Sequence, residues 1–137
     1  IPAGTKRIVL MLAGVSTNGV SSYLVRIGDS GGIETTGYLS IAQSDNTVRA
    51  ASTAGFLIMS QAPAATSVIG GRIEISLENS AAFTWVMNSG LCDTNVVFGH
   101  TAAGSKSLSA ELDRISLTTV NGTDTFDAGV VNIQYQS

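Results

Sequence analysis

Charge is scarce in this chain. Asp, Glu, Lys and Arg together make up 12% of its 137 residues, about half of their usual share in a soluble domain. The net charge is −3 and the seven cations are scattered, so no basic patch can collect phosphate groups and we expect no nucleic-acid partner. Apolar residues reach 44%. With so few charges, one copy would leave contiguous apolar surface, and such surface marks an interface, so we expect a homo-oligomer.

Metal-binding and redox side chains are nearly absent. Cys92 is the one cysteine, so no disulfide can form within the chain, and His100 is the one histidine. No CxxC pair and no second imidazole are available to build a metal site. The sequence therefore predicts no metal and no cofactor. An apolar run of the ~20 residues that a membrane helix needs is also missing, and we expect no membrane insertion.

Helical periodicity is nearly absent as well. The best candidate, residues 105–112, has two leucines four positions apart and predicts one short turn at most. Because no helix of crossover length separates the strand-like segments, a parallel α/β sheet is excluded. About ten short segments instead have the composition of strands between turn residues. They are residues 6–14, 22–28, 31–42, 47–51, 56–60, 70–79, 82–88, 95–100, 113–120 and 130–136.

The two-residue period of a strand predicts which side chains face inward. In residues 70–79, every second residue from Ile73 to Leu77 is apolar and the intervening ones are polar, so one face is in water. Residues 82–88 follow after a short turn, and we expect the two segments to form an antiparallel hairpin. Residues 6–14 are a continuous apolar run, which is consistent with a strand buried on both faces.

The end of the chain has the pattern of a β-hairpin. Residues 113–120 and 130–136 flank a loop of Asn, Gly, Thr and Asp, the residue types that tight turns prefer. Phe126, in the middle of that loop, is expected to plug the end of the core. Three side chains of the last segment share one inward phase: Val131, Ile133 and Tyr135. The terminus is therefore expected to be an ordered strand.

Together these patterns predict an all-β fold, an antiparallel β-sandwich of the jelly-roll or a related type. Residues 1–137 fit one domain that can bury a core without a metal or disulfide. Residues 14–22 and 60–67 are predicted surface loops. Since the chain has no initiating Met and leads from Ile1 directly into a strand, we expect it to be a fragment of a longer polypeptide.

No group of side chains has the pattern of an active site. Hydrolysis of a glycan needs two carboxylates about 5 to 10 Å apart in a cleft. Glu74 and Glu78 alternate onto the wet face of one strand, and Asp124 and Asp127 lie in the closing loop, where turn chemistry accounts for them. His100 could be combined with many serines, but no GxSxG elbow specifies a nucleophile. The sequence predicts no catalytic residue.

Tyr38 is the candidate for a binding residue. Sugar sites favour an exposed aromatic ring among polar groups, and four other aromatics occupy predicted core phases: Tyr23, Phe83, Trp85 and Tyr135. In residues 31–42, Ile33, Leu39 and Ile41 share one phase, whereas Tyr38 shares the other with polar residues. We therefore expect Tyr38 to be accessible. A contact between subunits is an equally good interpretation of its position.

Both ends of the chain carry a resemblance to a known family. The closing NGTDTFDAGVVNIQY, the opening IPAGTKRIVLMLAGVSTNG and the internal GGIETTGYL resemble a module at the C-terminal ends of tail fibres, tailspikes and related proteins of tailed bacteriophages. The resemblance implies a homotrimeric, β-rich domain at the distal end of the virion tail. It identifies no catalytic residue.

Three functions are compatible with that resemblance. The domain could be an attachment head that recognises bacterial surface polysaccharide or lipopolysaccharide. It could be a purely structural cap that locks the trimer. It could also be the non-catalytic end of a depolymerase whose active site lies upstream. A surface rich in hydroxyl groups suits sugar ligands, because it offers neutral hydrogen-bond donors and acceptors.

Overall fold

The computed structural model describes residues 1–45, 49–61 and 63–137. None of these residues is helical, and every strand pair they form is antiparallel. The strands in chain order are β1 Arg7–Thr17, β2 Tyr23–Asp29, β3 Gly32–Ile33, β4 Leu39–Ser44, β5 Arg49–Ser52, β6 Phe56–Leu57, β7 Ile69–Asn79, β8 Thr84–Asp93, β9 Phe98–Ser107, β10 Arg114–Thr119 and β11 Phe126–Gln136. The predicted all-β, antiparallel class is confirmed.

The strands form two sheets of unequal size. The larger has the order β11-β1-β7-β8-β9-β4-β5, and the smaller has the order β10-β2-β3 with β6 also pairing β2. The predicted hairpin of residues 70–79 and 82–88 is confirmed as β7 and β8, with Ile75 opposite Met87. At 105–112, where at most one short turn of helix was predicted, residues 105–107 end β9 and the following residues are not helical.

One apolar cluster contains side chains from both sheets, so the arrangement is sandwich-like. The larger sheet contributes alternate residues such as Ile8, Ile73 and Ile75, as the two-residue period predicted. The smaller sheet contributes the predicted Tyr23, Val25 and Ile27 to the same cluster. The expectation that residues 6–14 are buried on both faces is wrong within one copy. Only alternate residues of β1 are buried there, and Val9 and Met11 are half-buried.

The predicted closing hairpin is wrong. β10 pairs with β2 in the smaller sheet, whereas β11 pairs with β1 at the edge of the larger one. Val131 and Tyr135 face the same way as the buried Leu12 and Ile8 opposite them, yet they are 41% and 46% exposed. These two side chains of the edge strand are therefore left uncovered within one copy. Phe126 is also partly exposed, and its ring packs edge-on against Tyr23 at 5.3 Å between centroids.

Residues 31–42 form two strands rather than one. β3 ends at Ile33, and Gly37 has a φ of +73°, a left-handed conformation that glycine adopts without steric cost. The turn changes which side chains of the following strand face the core. As a result Leu39 and Ile41 point to solvent, 71% and 50% exposed, and the predicted inward direction of both side chains is wrong.

Two further predictions concern loops and a short strand. Residues 18–22 and the described part of 60–67 lie outside strands, although β1 extends through residues 14–17 of the first predicted loop. The strand predicted at 47–51 is present from Arg49 onward. Its residues 47 and 48 lie outside the described part of the chain, as does residue 62.

Candidate functional site

Tyr38 is buried and cannot contact a ligand in one copy, so the prediction that it is accessible is wrong. Its hydroxyl accepts the N–H of Ile27 at 2.9 Å and lies 3.1 and 3.0 Å from the carbonyl oxygens of Ile27 and Glu34. Lys106 Nζ lies 5.4 Å from the ring centroid and pairs with Glu34 at 3.1 Å. The turn at Gly37 is the physical reason, because it directs this side chain inward.

The contacts of Tyr38 explain its structural role. Its hydroxyl bonds to the backbone of β2, while the ring packs edge-on against Phe56 of β6 at 5.0 Å between centroids. Burial raises the pKa of the phenol, so the hydroxyl remains a neutral donor and acceptor. Tyr38 therefore ties the residues that precede β4 in the larger sheet to the smaller sheet.

A large concave surface lies elsewhere, on the outer face of the larger sheet. We call it the glycine trough, a groove of about 770 Å³ that crosses β4, β9, β8 and β7. Its lining includes Gly70, Gly90, Gly99, Gln43, Asp45 and Thr101. Sequence reasoning missed it, because the glycines belong to three separate strands and only the register brings them together.

The groove forms because the register of the strands aligns glycine residues, which have no side chain to fill the space. Gly70 of β7, Cys92 of β8 and Gly99 of β9 lie opposite one another in one row. A side chain added at Gly90 would meet no atom within 4 Å of its Cβ, so the floor there is open to solvent. Asp45 accepts the N–H of Gly99 at 2.6 Å, which fixes its carboxylate at one end of the groove. The result is an open surface of exposed backbone with polar side chains around it.

A buried polar network lies beneath the trough. His100 Nδ1 is 2.8 Å from Ser44 Oγ, which also receives hydrogen bonds from Ser60 Oγ at 2.9 Å and the N–H of Gln61 at 3.3 Å. Burial lowers the pKa of His100, and the charges of Asp93 and Asp45 offset part of that shift. Ser44, His100 and Asp93 are all buried. Ser44 and His100 also line the trough from below, and their mutual contact connects β4 to β9.

Three of the four acidic residues considered from the sequence have local partners. Glu74 pairs with Arg7 at 2.7 Å and with Arg72 at 2.5 Å, which lowers the pKa of its carboxyl group. Asp124 accepts the N–H of Ser21 at 2.9 Å. Asp127 accepts the Ser16 hydroxyl at 2.6 Å, and Glu78 is exposed. Over the described ranges, no three His, Cys, Asp or Glu side chains are grouped so that they could hold a metal ion.

The remaining aromatic predictions have mixed outcomes. Tyr23 and Trp85 are buried, as predicted, and Phe83 is half-buried at the turn before β8. Tyr135 is exposed, contrary to prediction, because β11 is an edge strand. No helix formed by the described residues is long and apolar enough to cross a membrane.

Comparisons with protein-family models, with curated proteins and with solved structures find no match to this chain. The candidate site is therefore defined by its own geometry.

Tyr38→Phe tests the structural role of the buried hydroxyl. The substitution leaves the N–H of Ile27 without this acceptor, so we expect the free energy of unfolding to fall by about 1–3 kcal/mol. Urea unfolding measures the change. Tyr135→Phe removes a hydroxyl from an exposed ring and should alter stability little. Equal effects of the two substitutions would contradict the assigned role.

His100 makes stability depend on pH. Because its folded-state pKa lies below the unfolded value of 6.5, its contribution is complete above pH 6.5 and is lost as the pH falls towards the folded pKa. We expect urea unfolding to show a loss of up to about 1.4 kcal/mol per pH unit as the pH falls below 6.5. His100→Gln should show a flatter profile in that interval. An unchanged profile would exclude His100 as the cause.

Proposed function

We propose that these residues form the attachment domain at the distal end of a tail fibre or tailspike in the virion tail of a tailed bacteriophage. In this proposal the domain is a jelly-roll-like sandwich that assembles as a homotrimer. It holds bacterial surface polysaccharide or lipopolysaccharide in the glycine trough without cleaving it. The observation that carries the proposal is the trough itself, an open groove of about 770 Å³ across four strands that has polar side chains among its lining residues.

The chemistry of the trough favours an extended, hydroxyl-rich ligand. Four strands at about 4.8 Å spacing give a length of roughly 14 Å, and the glycines leave backbone groups within reach of a ligand. Gln43 and Thr101 offer neutral donors and acceptors along the lining, and Asp45 offers one carboxylate. A sugar hydroxyl can donate to the carboxylate and accept from the amide, which is the pairing that neutral glycans need.

Two separate apolar patches support assembly with further copies. The outer-face patch comprises Leu39, Ile41 and Val86, and Ser105 of β9 lies between Leu39 and Val86 in the same row. The edge patch comprises Val131 and Tyr135 on β11. Since β4 and β11 lie towards opposite ends of the larger sheet, one patch can contact the other on the next copy. Such a contact between unlike surfaces forms a ring when the rotation closes.

A trimer would also compensate for weak single sites. One shallow trough offers few enclosed contacts, so we expect weak binding per copy. Three identical sites held together raise the effective affinity by about 10² to 10⁴ without a new contact.

The exposed apolar patches also favour a second candidate function, the purely structural trimer cap. In the third alternative, a depolymerase, the active site lies upstream of these residues and this domain is its non-catalytic end.

Measuring the oligomeric state tests whether the apolar patches form contacts between copies. We expect light scattering at micromolar concentration to give three times the mass of one chain. The double substitution Leu39→Ser with Tyr135→Ser should shift the mass towards the monomer, because it places hydroxyl groups in both patches. Val20→Ser alters an equally exposed apolar residue outside them and should leave the trimer intact. A monomeric wild type would reject the assembly.

Filling the trough tests the function. Gly90→Phe places a ring where the structure has open space, so we expect at least tenfold weaker binding to purified bacterial surface polysaccharides and lipopolysaccharides. Asn88→Phe is the matched control, since Asn88 lies on the same face of β8 outside the trough lining. The wild type should release no reducing ends. A folded trimer that binds no glycan would favour the structural cap, and cleavage would reject the non-enzyme proposal.

A further inference from the structure

The register of the larger sheet places two arginines that are distant in sequence on either side of the glycine trough. Arg49 of β5 lies opposite Gln43, which lies opposite Thr101. Thr101 lies opposite Gly90, which lies opposite Arg72 of β7. We call these five residues the arginine row. Residues directly opposite one another in a ladder point to the same face of a sheet, so the whole row lies on the face that carries the trough.

The two cations lie at the ends of the row, and the three residues between them are uncharged. Gln43, Gly90 and Thr101 are lining residues of the trough. At a strand spacing of about 4.8 Å, the Cα atoms of Arg49 and Arg72 are separated by roughly 19 Å. A Cβ at Gly90 would meet no atom within 4 Å, so no side chain separates Arg72 from the groove. A ligand that lies along the row would therefore meet one cation at each end.

Arg49 is available to a ligand. Its side chain is at the exposed edge strand β5, and it makes no ion pair with any residue in the described part of the chain. A guanidinium group is always charged and presents five N–H donors in a planar fork. Arg49 can therefore bind an anionic group without breaking an existing ion pair.

Arg72 retains free donors although it has an acidic neighbour. Its Nη2 contacts Oε2 of Glu74 at 2.5 Å, and its side chain is 60% exposed. The same carboxylate is engaged at both oxygens by Arg7, at 2.8 and 2.7 Å. One negative charge is thus shared by two positive charges, and these three side chains together carry a net charge of +1. The rest of the Arg72 fork can bind an anion in the trough.

The acidic residues next to the trough lie outside the row. Glu74 is two residues beyond Arg72 on β7, and its carboxylate already has partners. Asp45 is two residues beyond Gln43, where it accepts the N–H of Gly99 at 2.6 Å. The lining therefore offers cations along one line and a carboxylate beside it. A ligand that carries both carboxylates and hydroxyl groups matches this arrangement, because its hydroxyl groups can donate to Asp45.

We propose that the glycine trough is specific for acidic polysaccharides whose sugar residues carry carboxylate groups. Arg49 and Arg72 each bind one carboxylate, which the planar fork of arginine can hold through two parallel hydrogen bonds. Gln43 and Thr101 form hydrogen bonds with hydroxyl groups of the sugar residues between them. This ligand class rests on the function proposed above, since it specifies which glycans the attachment site holds.

The experiment compares polyuronates with their own neutral derivatives. Polygalacturonate and alginate carry a carboxylate on each sugar residue, and chemical reduction converts it to a primary alcohol while the polymer chain is kept. The whole domain is titrated against the immobilised polymers. We expect about tenfold tighter binding to the carboxylated forms. This preference should disappear between ~0.01 and ~1 M salt, because the screening length falls from about 30 to 3 Å. Equal binding of both forms, or of neither, would overturn the proposal.

Charge substitutions test the two arginines directly. Arg49→Gln with Arg72→Gln should weaken polyuronate binding about tenfold and leave binding to the reduced polymers unchanged. Lys6→Gln with Arg114→Gln is the matched control, because it removes the same charge from exposed residues outside the row. All four side chains are on the surface, so thermal unfolding should show that both variants fold. An equal loss of affinity in the two variants would assign the attraction to overall charge and reject the arginine row.

Gly90→Phe distinguishes this proposal from the function on which it rests. If Gly90→Phe weakens binding to a neutral bacterial polysaccharide while polyuronates do not bind, the attachment function stands and the acidic specificity fails. If neither polyuronates nor any bacterial surface polysaccharide binds to the folded domain, both fail together.

Discussion

The unequal size of the two sheets is the constraint on which the other features depend. An apolar layer between sheets must be covered on both sides to be removed from water. The smaller sheet covers Ile8, Ile73 and Ile75 near the centre of the larger one, and these side chains are fully buried. It contacts β11 where Tyr23 packs against Phe126 at the start of that strand, yet Val131 and Tyr135 face inward and remain exposed. The smaller sheet therefore leaves these two side chains of the edge strand uncovered.

The same layer leaves other surfaces available for ligands. Because alternate side chains of β7 and β8 fill the core, the intervening ones form the outer face, and the glycines among them open the trough. At the other end of these strands, Trp85 belongs to the core. The trough is thus a by-product of strands whose inner face is devoted to packing.

Some features of the structure and its candidate site could be predicted from local sequence patterns, and others could not. The burial of Trp85 followed from its phase in residues 82–88, since it alternates with exposed Val86. The burial of Tyr38 could not be predicted in this way, because Gly37 adopts a positive φ that sequence periodicity does not reveal. The trough depends on Gly70, Cys92 and Gly99 being neighbours, and they are separated in sequence. Cross-strand register is a long-range property.

By itself the sequence determined the all-β class, the β7–β8 hairpin and the inward phase of β2, because side-chain direction in a strand alternates and a short turn joins adjacent strands. Only the tertiary structure decided that residues 113–120 and 130–136 enter different sheets, where they pair with β2 and β1. The physical reason is that strand periodicity specifies which face is apolar but not which strand lies alongside. The strand pairing that forms is the one that buries the whole apolar layer. Strands that are distant in sequence, such as β1 and β11, contribute to that layer together.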